Sequence, residues 1–242
     1  MRLVRALLGI LLWPLCVAVL WTLLTALGWA QAQGCGLATW ENAALSGGFL
    51  GWLFLYLAFP PPVRSYILAH ELTHALWALA MGGRVGRIRV NARGGSVDVS
   101  NGNVFVTLAP YFFPLYTWCV LAAWGLVGLV FDQTPYRFLW LALLGASWSF
   151  HVTFTVSALA GEQPDVRQVG GWLAYPLIVL ANGVGLLLWV VAVLPPTLGQ
   201  TGDALGRHLV LILSWLWANL LHPVGVWGAG CLRACFSSNG VP

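Results

Sequence analysis

Three ionisable side chains stand within five residues of an otherwise apolar stretch, in the pentad His70-Glu71-Leu72-Thr73-His74. On an α-helix, residues four apart project from nearly the same face, so His70 and His74 can both bind one tetrahedral zinc ion. Glu71 lies about 100° around the helix from His70, where its carboxylate reaches a zinc-bound water rather than the zinc. Zinc lowers the pKa of such a water towards ~7. The pentad therefore predicts a zinc site with Glu71 as general base.

The low probability of a chance match and the energetic cost of ionisable groups in a bilayer both favour a function for this pentad. Because the chain contains only five His and three Glu residues, composition alone would generate the pattern with a probability on the order of 0.1%. Ionisable groups in a bilayer are expensive and persist mainly where they have a function. A polar cluster satisfied by hydrogen bonds between helices is the alternative interpretation.

The amino-acid composition indicates that this helix belongs to a membrane protein. Of the 242 residues, 60% are hydrophobic and only 7% are charged, whereas a soluble domain has about 25% charged residues. This excludes a cytosolic enzyme, a coiled coil and a disordered chain, and it predicts one compact integral membrane domain. The formal charge of +4 comes from eleven Arg and no Lys. Arginines that flank apolar helices usually contact lipid headgroups, so we expect the lipid bilayer and not nucleic acid as a partner.

The apolar runs predict an all-α polytopic membrane protein with six or seven transmembrane helices. The predicted helices cover about residues 6–30, 44–60, 63–81, 104–131, 136–160, 171–194 and, with the weakest pattern, 205–227. Arg2 and Arg5 before the first run resemble the start of a signal peptide. However, its apolar part is longer than the roughly 7–15 residues of such a segment, which favours a retained helix.

Polar and β-branched residues alternate around Arg93-Gly94-Gly95, which predicts a small β-hairpin at 86–103, after the helix with the pentad. The chain then divides into three parts. These are N-terminal transmembrane segments (1–62), a metalloprotease-like membrane core (63–194), and a C-terminal hydrophobic segment with a tail (195–242).

The order of these features resembles the M50 family of intramembrane zinc proteases, the site-2-protease class, and its M50B-like branch in particular. The similarity covers about residues 63–194 and depends on the stretch 69–76 around the pentad, on Gly82-Gly83, on the arginine-bearing hairpin and on the apolar helix after it. It implies a core of three helices around Zn²⁺, with the hairpin beside the path of the substrate. His70 and His74 would be metal ligands and Glu71 the general base.

The third metal ligand is where the chain departs from the family. The wider family supplies an Asp from an Asn-Pro…Leu-Asp-Gly segment, which is absent from this sequence. Asp165, in Gln163-Pro164-Asp165, keeps the residue type and a neighbouring proline. His151 lies about 14 Å from the end of its predicted helix, a depth similar to that of His70. Because Pro164 indicates a shallower interfacial turn, depth favours His151 and leaves Asp165 as the second choice.

Three functions compete at this point. The first is a zinc-dependent intramembrane endopeptidase, a metalloprotease that hydrolyses a transmembrane or juxtamembrane segment of a membrane-protein or peptide substrate with metal-activated water. The second is a non-catalytic membrane protein that retains a structural or binding metal site. The third is a metal transporter, which the absence of repeated halves disfavours. The intact Glu71 favours the first, since a purely structural site needs no carboxylate beside its ligands.

Overall fold

The computed structural model of the protein describes residues 2–34, 39–91, 94–100, 102–194 and 196–222. Within these ranges the chain is mostly helical and contains one two-stranded antiparallel sheet, as the sequence predicts. The helices are α1 (Arg2–Ala32), α2 (Trp40–Ala58), α3 (Val63–Ala80), α4 (Val104–Leu108), α5 (Leu115–Val127), α6 (Arg137–Ala160), α7 (Pro164–Val169), α8 (Gly171–Val193) and α9 (Leu198–Leu216). The strands are β1 (Val85–Asn91) and β2 (Gly94–Val99).

Three helical stretches of the described chain are long and apolar enough to cross a membrane. They are α1, α6 with the turn before it (Thr134–Ala160), and most of α8 (Gly171–Ala192). The pair α4–α5 is bent by 78° and adds a fourth if it forms one span. The sequence predicts six or seven spans, which is more than this number. Polar residues such as Glu41 in α2 and Glu71 in α3 lower the mean hydropathy of two of the apolar runs.

Proline determines where several predicted helices begin or break. The single helix predicted over residues 104–131 is divided, with a 3₁₀ turn at Ala109–Tyr111 and a new start after Pro114. A proline inside a helix removes one backbone hydrogen bond and either kinks or breaks the helix. Pro164 stands at the first position of α7, which the sequence predicts only as a turn.

The last helix begins at Leu198 rather than near residue 205. Thr197 caps it in a capping box with Gln200, which satisfies the free amides of the first turn. The predicted end near residue 227 and the tail lie outside the described residues. The same is true of Arg93 at the tip of the hairpin.

Small residues allow the long helices to approach closely. A Cβ atom at Gly48 of α2 would overlap the backbone of Ala142, and one at Gly145 of α6 would overlap the backbone of Leu45. Close backbone approach through small residues is the usual packing mode of membrane helices. A similar approach joins α1 to α8 at Gly9. The buried residues of α4, α6, α7 and α8 form one apolar cluster that includes Tyr111.

Candidate metal centre

The pentad lies in the middle of α3, on the side that faces the rest of the protein. The helix begins after Pro62 and ends before Gly82, whose φ of +73° suits glycine. Glu71 and His74 are only 7% and 9% exposed. Strands β1 and β2 and the α4 segment all contact this helix. Glu71, Thr73 and His74 are therefore enclosed by protein.

His70, His74 and Asp165 converge on one point. The Nε2 atoms of the two histidines are 3.2 Å apart, and Asp165 Oδ2 lies 3.2 Å from His70 Nε2 and 3.6 Å from His74 Nε2. A tetrahedral zinc with ligand bonds of about 2.0–2.1 Å separates its ligand atoms by about 3.3–3.4 Å. The three donor atoms thus already have the spacing that one zinc ion requires, and the donor set of two imidazoles and one carboxylate suits that ion.

Further hydrogen bonds orient these side chains. His74 Nδ1 lies 2.8 Å from the carbonyl oxygen of Val106, to which the ring N–H donates, so that Nε2 keeps its lone pair for a metal. The Tyr111 hydroxyl donates to Asp165 Oδ2 at 3.0 Å. The Tyr66 hydroxyl lies 3.4 Å from His70 Nδ1. Each member of the group therefore has an outer partner, as metal ligands in proteins usually do.

Asp165 reaches the histidines because α7 packs against α4 and α8. Burial alone would raise the pKa of Asp165, but hydrogen bonds with His70 and His74 hold that pKa below its usual value. The carboxylate is consequently anionic at neutral pH, which is the form that binds a cation.

The hairpin closes the site over Glu71. A Cβ atom on Gly95 of β2 would lie 2.6 Å from Ile67 Cγ2 and 2.7 Å from both Cγ and Oε1 of Glu71. The strand can lie this close to α3 only because residue 95 has no side chain. The sequence marks Gly95 only as part of a turn, and the structure places it against Glu71.

The structure places Asp165, the second choice from the sequence, and not His151 beside His70 and His74. Among the described residues, these three side chains form the group that could hold a metal. Among the residues that the structure describes, the buried Nε2 atom of His151 has no hydrogen-bond partner. After α6 ends, α7 returns the chain towards α3, which brings Asp165 within 3.2 Å of His70 and 3.6 Å of His74.

Comparisons of the chain with protein-family models, with curated proteins and with solved structures find no match. The functional argument therefore depends on the residues of the site and on their geometry.

Proposed function

We propose that the protein is a zinc-dependent intramembrane endopeptidase. The observation that carries the proposal is the convergence of His70, His74 and Asp165 at distances of 3.2, 3.2 and 3.6 Å, with Glu71 on the same helix. Two imidazoles and a carboxylate leave the fourth position of a tetrahedral zinc free, which is the arrangement of catalytic rather than structural zinc sites.

The residues of the chain divide the chemistry between them. Zn²⁺ held by the three ligands would act as a Lewis acid that activates water and polarises the scissile carbonyl. Glu71 accepts the proton of the attacking water as the new C–O bond forms. Glu71 then delivers this proton to the amide nitrogen as the C–N bond breaks, so that a free amine leaves.

The surroundings of the site favour a substrate within or beside the membrane. In this proposal α1, α6, α8 and the bent α4–α5 pair all cross the bilayer, and the less apolar α2 and α3 complete a multi-pass domain of six or seven spans, counting the C-terminal segment. Residues that enclose the site exclude bulk water, which strengthens the electrostatic action of Glu71 and the ligands. A transmembrane or juxtamembrane peptide is the substrate that such a site can reach.

One observation favours the alternative of a non-catalytic metal site. Glu71 is only 7% exposed and β2 covers it at Gly95, as expected of a closed structural centre. Glu71 itself favours the enzyme, because a closed centre that already has two histidines and Asp165 as ligands gains nothing from a second buried acid.

The change Glu71→Gln separates the two functions, since it keeps the size of the side chain and removes the proton acceptor. The variant should hold as much zinc as the wild type and lose at least about 100-fold in the cleavage of a co-expressed membrane substrate. Cleavage at the wild-type rate would exclude the protease function.

A further inference from the structure

Two cavities lie beside the metal centre and share two lining residues. The smaller one, of ≈ 20 Å³, is lined by His70 of α3 and by His151 of α6. The larger one, of ≈ 850 Å³, extends from His151 along α5 and α8. His151 and Phe113 line both cavities. They therefore stand at the junction between a large internal space and a metal-ligating histidine.

The larger cavity is suited to an apolar chain. Its walls come from α3, the bent α4–α5 segment, α6 and α8, and they are mostly aliphatic and aromatic side chains. Its volume lies within the range of about 300–1,000 Å³ that is typical of ligand-binding pockets. Several of its lining residues, such as Phe105 and Leu188, are more than half exposed. The cavity is consequently open on the side of α4 and α8.

His151 is the polar exception in this apolar wall. Its Nε2 atom is buried and has no hydrogen-bond partner within the described part of the chain, although an unsatisfied buried polar atom is costly. Asn182, the other strongly polar side chain of the lining, already donates to the carbonyl oxygens of Tyr111 and Ile178. A ligand that satisfies His151 must therefore bring a hydrogen-bonding group deep into an apolar space.

We infer that the ≈ 850 Å³ cavity binds the apolar segment of a peptide substrate and that His151 positions this segment by a hydrogen bond to its backbone. An unwound apolar peptide has both properties that the cavity demands, since its side chains are apolar and its backbone groups are polar. The acyl chain of a lipid would fill the space but leave His151 unpaired. The shared lining residues His151 and Phe113 place the bound segment next to the smaller cavity, which His70 also lines. This inference rests on the proposed function, which supplies the peptide.

The chain offers a matched pair of variants for a binding test. Gly185 of α8 lines the cavity, whereas Gly125 of α5 does not. A Cβ atom at either position would meet nothing within 4 Å. Each is therefore changed to leucine in full-length Glu71→Gln protein in nanodiscs. The probe is a fluorescent Leu/Ala peptide of roughly 20 residues, long enough to span the bilayer.

The variant Gly185→Leu should weaken binding of the peptide about tenfold or more, because the added side chain occupies the cavity. Gly125→Leu should leave the affinity within about twofold. Equal affinities of the two variants would overturn the inference. This readout requires no hydrolysis, so failure of the proposed protease activity would not change it.

The role of His151 is tested separately. His151→Phe keeps the ring and removes its hydrogen-bonding nitrogen, so peptide affinity should fall about three- to tenfold, with zinc content unchanged. His151→Gln should restore most of the affinity. Benzoylphenylalanine in place of Leu188 should cross-link to the peptide. Cross-linking only to phospholipid when the peptide is present would show that a lipid occupies the cavity and would overturn the inference.

Discussion

Replacing Gly95 by alanine would place a methyl group against the carboxylate that we propose as general base. The new carbon would lie 2.7 Å from Glu71 Cγ and Oε1 and 2.6 Å from Ile67 Cγ2. Ordinary contacts begin at 3.4 Å, so strand β2 and the Glu71 side chain must separate by about 0.7 Å. A misplacement of about 1 Å can cost about 10²-fold in rate.

We therefore expect Gly95→Ala to lower kcat by about 10- to 100-fold. Its zinc content should not change, because the three atoms nearest to the added methyl belong to Ile67 and Glu71 and not to a proposed ligand. The assay measures release of a labelled fragment from a membrane peptide by the purified protein, with zinc measured on the same samples. The midpoint of thermal unfolding verifies that the variant is folded.

Gly94→Ala is the control for this prediction. It makes the same chemical change one residue earlier in β2, at a position where a Cβ atom meets nothing within 4 Å. Its turnover should remain close to that of the wild type. If Gly95→Ala and Gly94→Ala turned over substrate equally fast, the contact of the hairpin with Glu71 would have no part in catalysis.

Two further predictions concern the partners of the ligands and the packing of the helices. Tyr111→Phe removes the hydrogen bond of 3.0 Å to Asp165 and should lower zinc affinity by about 10- to 100-fold in competition with a chelator. Tyr116→Phe is the control and should leave zinc affinity unchanged, because the Tyr116 hydroxyl donates to the backbone carbonyl of Ser65 and not to a proposed ligand. Gly48→Ala should lower the midpoint of thermal unfolding in detergent, because its methyl group overlaps the α6 backbone. Gly47→Ala, which has open space around its Cβ, should leave the midpoint unchanged. Equal midpoints of the two variants would contradict the packing of α2 on α6.

The elements of the fold that depend on local pattern can be predicted from the sequence. Long apolar runs predict α1, α6 and α8, and the alternation after Gly82-Gly83 predicts the hairpin. The break of the 104–131 helix depends on how Pro110 and Pro114 are accommodated by neighbours. Either proline could also have produced a kink within one continuous helix.

The spacing of the pentad alone places His70 and His74 on one helix face, and in the structure both belong to the group that could hold a metal. The third member of the group requires tertiary information. Asp165 is 91 residues from His74 along the chain, and its approach depends on α7, a helix of six residues that no periodic pattern could indicate. The preserved residue type beside Pro164 is the sequence signal for Asp165, the residue that the structure groups with the two histidines, whereas helix depth favours His151.

Zinc content of the purified full-length protein tests the central claim most directly. Elemental analysis should find about one zinc per chain in the wild type and in His151→Phe, and almost none in His70→Ala or Asp165→Ala, since removal of one of three protein ligands abolishes most of the affinity. Unchanged zinc in Asp165→Ala together with loss of zinc in His151→Phe, or a wild-type protein that binds no zinc, would contradict the account.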